Sequence, residues 1–148
     1  MRVLVLDDIE FRHNTFDAVY RGADVRHAYT YHTFVYLLKG VKWDLVHLDH
    51  DLGDFVVGDT FTDGWGKQRE YTGLHAAERI CELPDGALPL RVIIHSVNPS
   101  GAQAMRAMLQ RRGVHVTWEP FATDPEVDNS GEDIVGELVV NKCIPTPT

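Results

Sequence analysis

The amino-acid sequence predicts an α/β fold over residues 1–148, a single domain with a five-stranded parallel sheet in three α/β/α layers. Three observations predict it. Short apolar runs rich in β-branched residues recur along the chain, as strands buried on both faces require. Segments with apolar residues at helical spacing separate these runs. Such alternation is typical of a parallel sheet, for which we expect the strand order 2-1-3-4-5.

The elements follow from these runs in order. Strands are expected at residues 2–6, 24–30, 44–49, 90–95 and 114–118. Helices are expected over residues 10–21, 32–39, 100–112 and 132–142, and from Thr72 or Gly73 to about residue 83. Glycine follows several of these segments, as is common after the last turn of a helix.

Residues 54–71 interrupt the alternation and are interpreted as a loop insertion. They are rich in glycine, aspartate and aromatic residues and show no sustained period. Segments of this kind are often functional lids. Lys67, Arg69 and Tyr71 would then close over a phosphorylated ligand, with Trp65 stacking on a base, but a solvated loop is the default interpretation. Residues 119–130 are expected to form an acidic loop.

Composition limits the partners. The 148 residues carry a net charge of −8, which argues against an extended nucleic-acid surface but leaves a small nucleotide or an RNA end open. Two cysteines without CxxC spacing and the lack of a long apolar run predict a cytoplasmic protein without a membrane segment. The oligomeric state stays open.

Polar side chains follow three of the predicted strands. In the expected strand order, these ends converge where an open sheet binds its ligands. The residues that converge are Asp7, Asp8, Asp49, His50, Asp51, His95 and Ser96.

The acids predict a cation site. Carboxylates gathered in one place destabilise a fold unless positive charge offsets them. A divalent cation such as Mg²⁺ held by Asp7, Asp8 and Asp49 would do so, and Arg12 is a second source of positive charge. Helix capping by single aspartates is the structural alternative.

The two histidines at the strand ends predict acid–base chemistry. His50 and His95, one neutral and one protonated, can open a cyclic phosphate ester beside Asp49: one ring takes a proton from the attacking water, and the other protonates the leaving oxygen. Satisfied polar residues on turns are the alternative, and His47 is interpreted as a core residue.

The run from Ser96 to Gly101 leads into a helix, whose first amide groups favour anions. Ser96 and Asn98, with Arg12 and Asp51, are therefore expected to bind phosphate or substrate; plain helix capping is equally compatible with the run.

The pattern resembles the response-regulator receiver domains, a flavodoxin-like fold. An acidic pair follows strand one, Asp49 ends strand three and Ser96 ends strand four. The resemblance implies that Asp49 is the phospho-acceptor and that Asp7 and Asp8 hold the metal. Receivers carry a lysine at the end of strand five, where this chain reads Trp118-Glu119-Pro120.

The motifs LDD, LDHDLG (48–53) and HSVNPSG (95–101) are more similar to the cyclic-phosphate processing receiver domains, over most of residues 1–115. That resemblance implies a phosphoesterase role in which His50 and His95 do the chemistry, surrounded by the aspartates. The leading hypothesis is a hydrolase acting on a cyclic phosphate of a nucleotide or RNA end. The rivals are a signalling module phosphorylated on Asp49 and a protein that binds a nucleotide without reacting.

Overall fold

The structure, a computed structural model, describes residues 1–53 and 59–120. The strands in these residues are β1 (Arg2–Leu6), β2 (Asp24–Ala28), β3 (Leu45–Leu48), β4 (Thr60–Thr62), β5 (Gln68–Glu70), β6 (Arg91–Ile94) and β7 (Val116–Trp118). The α-helices are α1 (Glu10–Val19), α2 (Tyr31–Leu38), α3 (Gly73–Cys81) and α4 (Pro99–Arg112). A short 3₁₀ helix spans Asp85–Ala87.

Five strands form one parallel sheet in the order β2-β1-β3-β6-β7. This is the predicted order 2-1-3-4-5, because β6 and β7 are the fourth and fifth strands expected from the sequence, and the predicted fold class is confirmed. Leu6 pairs with Leu48, which pairs with Ile94. The residues directly after these three leucine and isoleucine positions therefore lie side by side at the carboxyl edge of the sheet.

Alternation along the strands separates two cores. Leu4, Leu48 and Ile94 face one side of the sheet, where they pack with residues of α2, α3 and α4. Val5 and Ile93 face the other side and pack with Phe16 of α1. Because side chains alternate with a period of two, the residues two positions beyond Val5 and Ile93 also point toward α1.

The insertion expected at residues 54–71 contains an antiparallel hairpin, where the sequence predicted an irregular loop. Strands β4 and β5 pair from Thr60–Glu70 to Thr62–Gln68. The strands are three residues long and mostly polar, so no apolar alternation revealed them. Side-chain hydrogen bonds at the tip and aromatic packing at the base hold the hairpin instead.

Two predictions fall outside the described residues: the helix at 132–142 and most of the acidic loop at 119–130. Among the residues that the structure does describe, no helix is long and apolar enough to cross a membrane.

Candidate functional site

The carboxyl ends of β1, β3 and β6 bring three buried polar side chains together. Asp7, Asp49 and His95 each follow the last residue of a strand, and backbone hydrogen bonds continue the ladder through them: Asp49 N donates to Leu6 O and His95 N donates to Leu48 O, both at 3.0 Å. All three side chains point toward α1, and their ligand atoms lie within 4.8 Å of one another. The strand register therefore builds the site.

Arg12 supplies positive charge to this cluster. It lies in the first turn of α1 and is buried. Its guanidinium nitrogen Nη1 is 3.2 Å from Asp7 Oδ2 and 3.4 Å from Asp49 Oδ2. One cation thus contacts both carboxylates, as a buried acidic pair requires. The sequence had identified Arg12 as a source of charge and a phosphate ligand; the structure puts it between the acids.

His95 is bonded to the first of these acids. Its Nε2 is 2.5 Å from Asp7 Oδ2, and its side chain is completely buried. The ring lies 5.4 Å from Phe16 and 5.9 Å from His47, measured between ring centroids. Its position on the α1 side follows from the alternation that also orients Ile93.

The neighbouring carboxyl groups differ in pKa. Burial favours the neutral form of Asp7, but the hydrogen bond and charge of His95, together with Arg12, outweigh it and lower its pKa. Burial and the negative charge of Asp7 raise the pKa of Asp49 to about 6. Asp8 is half-buried, and burial followed by the charge of Asp7 raises its pKa. The adjacent acids therefore lose their protons at different pH values.

His50 lies on the other side of the sheet edge, against α4. Its side chain is 17% exposed, and its Nδ1 is 2.9 Å from Asp51 Oδ1. A Cβ on Gly101 would lie only 2.5 Å from the ring, so a glycine is needed for the ring to pack here. The His50 backbone amide donates to Asp49 Oδ1 at 2.9 Å, which links His50 to the buried cluster.

The turn before α4 uses its own polar groups. Ser96 Oγ accepts a hydrogen bond from Asn98 N at 3.1 Å, and Ser96 is fully buried. Asn98 Oδ1 accepts from Gly101 N at 3.0 Å and from Ser100 Oγ at 3.1 Å. The Asn98 amide nitrogen, 3.4 Å from His50 Nδ1, is directed toward the site. These contacts are those of a helix cap, and phosphate binding by Ser96 and Asn98 stays a prediction.

The predicted site residues therefore form two adjoining groups. Asp7, Asp49, His95 and Arg12 form the buried group on the α1 side. The second group, on the α4 side, contains His50, Asp51 and Asn98. The two imidazoles contact different neighbours, and Asp49 lies between the groups with one oxygen toward each. Their joint action on one ligand stays a prediction, and His50 is the ring that solvent reaches.

Sequence reasoning missed a histidine pair behind the cluster. His13 Nε2 is hydrogen-bonded to the carbonyl oxygen of Asp7 at 2.8 Å, and its Nδ1 lies 2.6 Å from His27 Nδ1. His27 Nε2 in turn contacts Asp17 at 2.7 Å. The sequence signal for this contact was the position of His13, one residue after Arg12 in the same helical turn. Burial lowers the pKa of His13.

His47 is a core residue, as expected. It is fully buried, and its Nε2 is 2.7 Å from the hydroxyl of Tyr20. Burial, together with the charges of His95 and Arg91, lowers its pKa well below the usual value. A neutral His47 thus packs beneath the site.

Comparisons with known proteins agree with this geometry. A family model described as the cyclic-phosphate processing receiver domain matches residues 2–111. A CheY-like response regulator receiver domain from Methylobacillus flagellatus superposes with a TM-score of 0.58 at 12% identity, covering 91% of this chain and 98% of that chain. A response regulator from Burkholderia pseudomallei, solved with a phosphorylated aspartic acid, a calcium ion and citrate, superposes with a TM-score of 0.53 at 20% identity, covering 99% and 75%.

A third similar structure is the signal receiver domain of a Luxo repressor protein from Vibrio parahaemolyticus, with a TM-score of 0.55 at 15% identity, covering 95% of this chain and 93% of that one. Likeness at such low identity shows the fold alone. The curated proteins that were compared contain no match. Because the family match spans most of the sequence and the sheet has the receiver topology, this chain belongs to the cyclic-phosphate processing receiver domain family.

Proposed function

We propose that this chain is a hydrolase that opens a cyclic phosphate on a nucleotide or an RNA end. The observation that supports it is the position of Asp49, a carboxyl group with a raised pKa that lies between the buried guanidinium of Arg12 and the partly exposed His50. Acid and base roles in enzymes are commonly divided between groups whose surroundings push their pKa values apart.

His50 is the proposed general base. The shorter of its two Nδ1 contacts is to the Asp51 carboxylate, at 2.9 Å against 3.4 Å for the Asn98 amide nitrogen. A hydrogen bond from Nδ1–H to a carboxylate leaves Nε2 as the acceptor of the neutral ring. An Nε2 lone pair on a partly exposed ring can take a proton from water.

Asp49 is the proposed general acid. With a pKa of about 6, part of its carboxyl population carries a proton near neutral pH, as proton donation to a leaving oxygen requires. The sequence hypothesis shared the acid and base roles between His50 and His95. The His95 side chain is completely buried and bonded to Asp7, whereas the Asp49 side chain keeps 6% of its surface exposed, which favours Asp49 as the group that meets the ligand. His95 and Arg12 then act as positioning residues.

In the proposed step, water attacks the phosphorus while His50 Nε2 takes its proton. The bond between phosphorus and one ribose oxygen breaks, and that oxygen takes the proton of Asp49. The product is a phosphate monoester with a free hydroxyl group. Exchange with solvent returns the proton from His50 and restores the proton on Asp49.

A divalent cation fits the donor set of the buried group. Asp7, Asp49 and His95 would hold it, while Asp8 is not part of this group among the described residues. Carboxylates suit Mg²⁺, and an imidazole extends the range to Mn²⁺ or Zn²⁺. A bound cation would stabilise negative charge on the phosphate oxygens. Arg12 contacts the same two carboxylates, so cation binding would compete with Arg12 and with the proton on Asp49. Asp49 is therefore the general acid only in the cation-free site.

The test is turnover of the four 2′,3′-cyclic nucleotides, followed by chromatography of the products. His50→Ala is expected to lower kcat by about 10²–10⁴-fold, and Asp49→Asn to lower it by a similar factor. His115→Ala is the matched control, since His115 is exposed and lies before β7, away from the site. Because Asp49 must be protonated, the wild-type kcat should fall as the pH rises above about 6.

The same assay tests the cation. Turnover after EDTA treatment is compared with turnover in Mg²⁺, Mn²⁺ or Zn²⁺, and direct calorimetric titration compares wild type with His95→Gln. Weaker binding of Mn²⁺ or Zn²⁺ by His95→Gln, with Mg²⁺ binding less affected, would support a ligand role for the imidazole. Absence of turnover with every cyclic nucleotide, with and without these ions, would remove the hydrolase proposal.

A second candidate is a signalling module in which Asp49 accepts a phosphoryl group. Its support is the receiver fold and the position of Asp49 at the end of β3, beside Asp7 and Arg12. At the end of β7 the chain reads Trp118-Glu119-Pro120 in place of the receiver lysine. Intact mass after treatment with acetyl phosphate separates the candidates: a stable phosphoryl adduct that is absent from Asp49→Asn supports signalling.

A further inference from the structure

An exposed tryptophan stands at the tip of the β4–β5 hairpin. Trp65 is 92% exposed, whereas Trp43 is 3% exposed and Trp118 is partly buried. Tryptophan is a large aromatic residue that is highly buried on average. An indole that contacts so little of its own protein is available to stack on something else.

The tip that carries Trp65 is held in a defined conformation by one carboxylate. Asp63 accepts hydrogen bonds from the amides of Trp65 and Lys67, both at 2.9 Å, and from Arg69 Nε at 2.8 Å. The hydrogen bond from Arg69, then those from the two amides, lower the pKa of Asp63 against the small effect of burial. Gly66 adopts a φ of +77°, which favours glycine. A preordered turn presents the indole with little further loss of entropy on binding.

The base of the hairpin is attached to the edge of the sheet that carries the site. Tyr71 N donates to Asp59 O at 3.3 Å, and the ring of Phe61 packs 4.8 Å from that of Tyr71. Gly73 N donates to His50 O at 2.8 Å. Gly73 lies eight residues beyond Trp65, and a chain of that length spans at most about 30 Å. The tip therefore stays within reach of a ligand that extends outward from His50.

Asp59 fixes the hairpin to α2 as well. Its carboxylate accepts hydrogen bonds from Tyr31 N at 3.0 Å and from His32 N at 3.2 Å, and it contacts His32 Nδ1 at 2.7 Å. The rings of Tyr31 and Tyr71 stack at 3.9 Å and 9°. The hairpin is thus fixed both to α2 and to the edge of the sheet at Gly73, and these contacts set the direction of its tip.

We infer that Trp65 stacks on a base of a single-stranded RNA whose 3′ end is held at the site. The inference rests on the proposed function. Glycines flank Trp65, and two exposed cations lie on the same hairpin: Lys67, and Arg69, which is paired with Asp63. A protein partner would need a wider apolar surface than one ring with a polar border. Proteins that bind single-stranded RNA without reading its sequence stack the bases on aromatic rings and bind the phosphate backbone of the RNA with nearby cations.

The test compares RNA binding with turnover of a small substrate. The probe is a fluorescently labelled single-stranded RNA of about eight nucleotides that ends in a 3′-phosphate, which the proposed reaction does not consume. Its Kd is measured by anisotropy for wild type, Trp65→Ala, Trp65→Phe and Tyr36→Ala. Tyr36 is the matched control because it is 78% exposed and lies on α2.

Trp65→Ala is expected to raise the Kd about 5- to 100-fold, the range observed when one stacking aromatic residue is removed. Trp65→Phe should retain most of the affinity, and Tyr36→Ala should match wild type. Tyr36→Ala should also keep the wild-type kcat/KM for a 2′,3′-cyclic mononucleotide.

An equal Kd for Trp65→Ala and wild type, or no RNA binding by wild type, overturns the inference. A change in self-association measured by size-exclusion chromatography, with an unchanged RNA Kd, also overturns it and identifies the tip as a protein contact. If wild type hydrolyses no cyclic mononucleotide, the hydrolase proposal is removed. The RNA affinities of wild type and the variants can still be compared, so the two failures are distinguishable.

Discussion

Replacing Asp49 with asparagine is expected to stabilise the fold at neutral pH, although it removes a residue of the proposed site. Burial, followed by the charge of Asp7, raises the pKa of the Asp49 carboxyl from 3.8 to about 6. Between these values the folded state holds a proton that the unfolded chain has released. This group therefore favours folding at low pH, and its contribution is lost as the pH rises through about 6.

The size of the effect follows from the interval between the pKa of Asp49 in the unfolded chain and that in the folded protein. One pH unit corresponds to about 1.4 kcal/mol, so the free energy of unfolding should lose about 3 kcal/mol from this group between pH 4 and pH 7. Asparagine keeps an oxygen that accepts from the His50 amide but loses the charge beside Arg12, which retains Asp7 at 3.2 Å. We therefore expect Asp49→Asn to be more stable than wild type above pH 7 by about 1–2 kcal/mol.

The assay is urea unfolding of wild type and Asp49→Asn at several values between about pH 4.5 and pH 7.5. Buried His47 contributes to the pH dependence with the opposite sign, because burial lowers its pKa. That contribution is common to both proteins, so the difference between them reports on Asp49 and its interaction with Asp7. Asp24→Asn, at an exposed ion pair with Arg26, is the control. If the free energy of unfolding of Asp49→Asn does not increase relative to that of wild type as the pH rises, the reasoning is refuted.

Three further substitutions test the packing around the site. His47→Leu should destabilise the protein by about 1–3 kcal/mol at pH 8, because a buried tyrosine hydroxyl loses its partner. This loss of stability relative to wild type should shrink below pH 6.5, where the wild type itself loses stability. A loss that stays constant with pH in urea unfolding would contradict this. Gly73→Ala should cost about 1–3 kcal/mol or more, because its Cβ would overlap the carbonyl at the end of β3. Gly86→Ala, with open space around it, should leave the melting temperature nearly unchanged, and equal losses would count against the clash. Gly101→Ala should displace the ring of His50 and lower turnover while circular dichroism still reports a folded protein; unchanged turnover would show that the position of the ring is not important.

The sheet and the positions of its polar ends were predictable from the sequence, because both depend on strand pattern. Three of the five predicted strands, β1, β3 and β6, are apolar runs buried on both faces, and parallel pairing makes their carboxyl ends adjacent. Asp7 and Asp49 could be grouped for that reason. The α1-facing side chain of His95 was also readable in principle, since it lies two residues beyond Ile93 in a buried strand.

What the sequence did not reveal depends on how the helices are oriented. The contact of Arg12 with both carboxylates, like that of His13 with the backbone of Asp7, requires α1 to lie at one rotation above the sheet. Helical spacing predicts which residues share a face but not which strand end each residue meets. The hairpin escaped prediction for another reason: its strands are held by the side chains of Asp59 and Asp63 rather than by an apolar face.

The source of positive charge separates the candidate chemistries of this site. In the receivers that the chain resembles, a lysine follows the last strand; here the indole nitrogen of Trp118 donates to the carbonyl of Ser96 at 2.8 Å, and Arg12 brings the charge from α1. Arg12 is already bonded to both acids, so a phosphoryl group on Asp49 would lie beside it. Under the proposed hydrolysis, Arg12 positions Asp49 beside the partly exposed His50, and the protons move through these two side chains. Under the signalling alternative, the same guanidinium would bind the oxygens of the phosphoryl group.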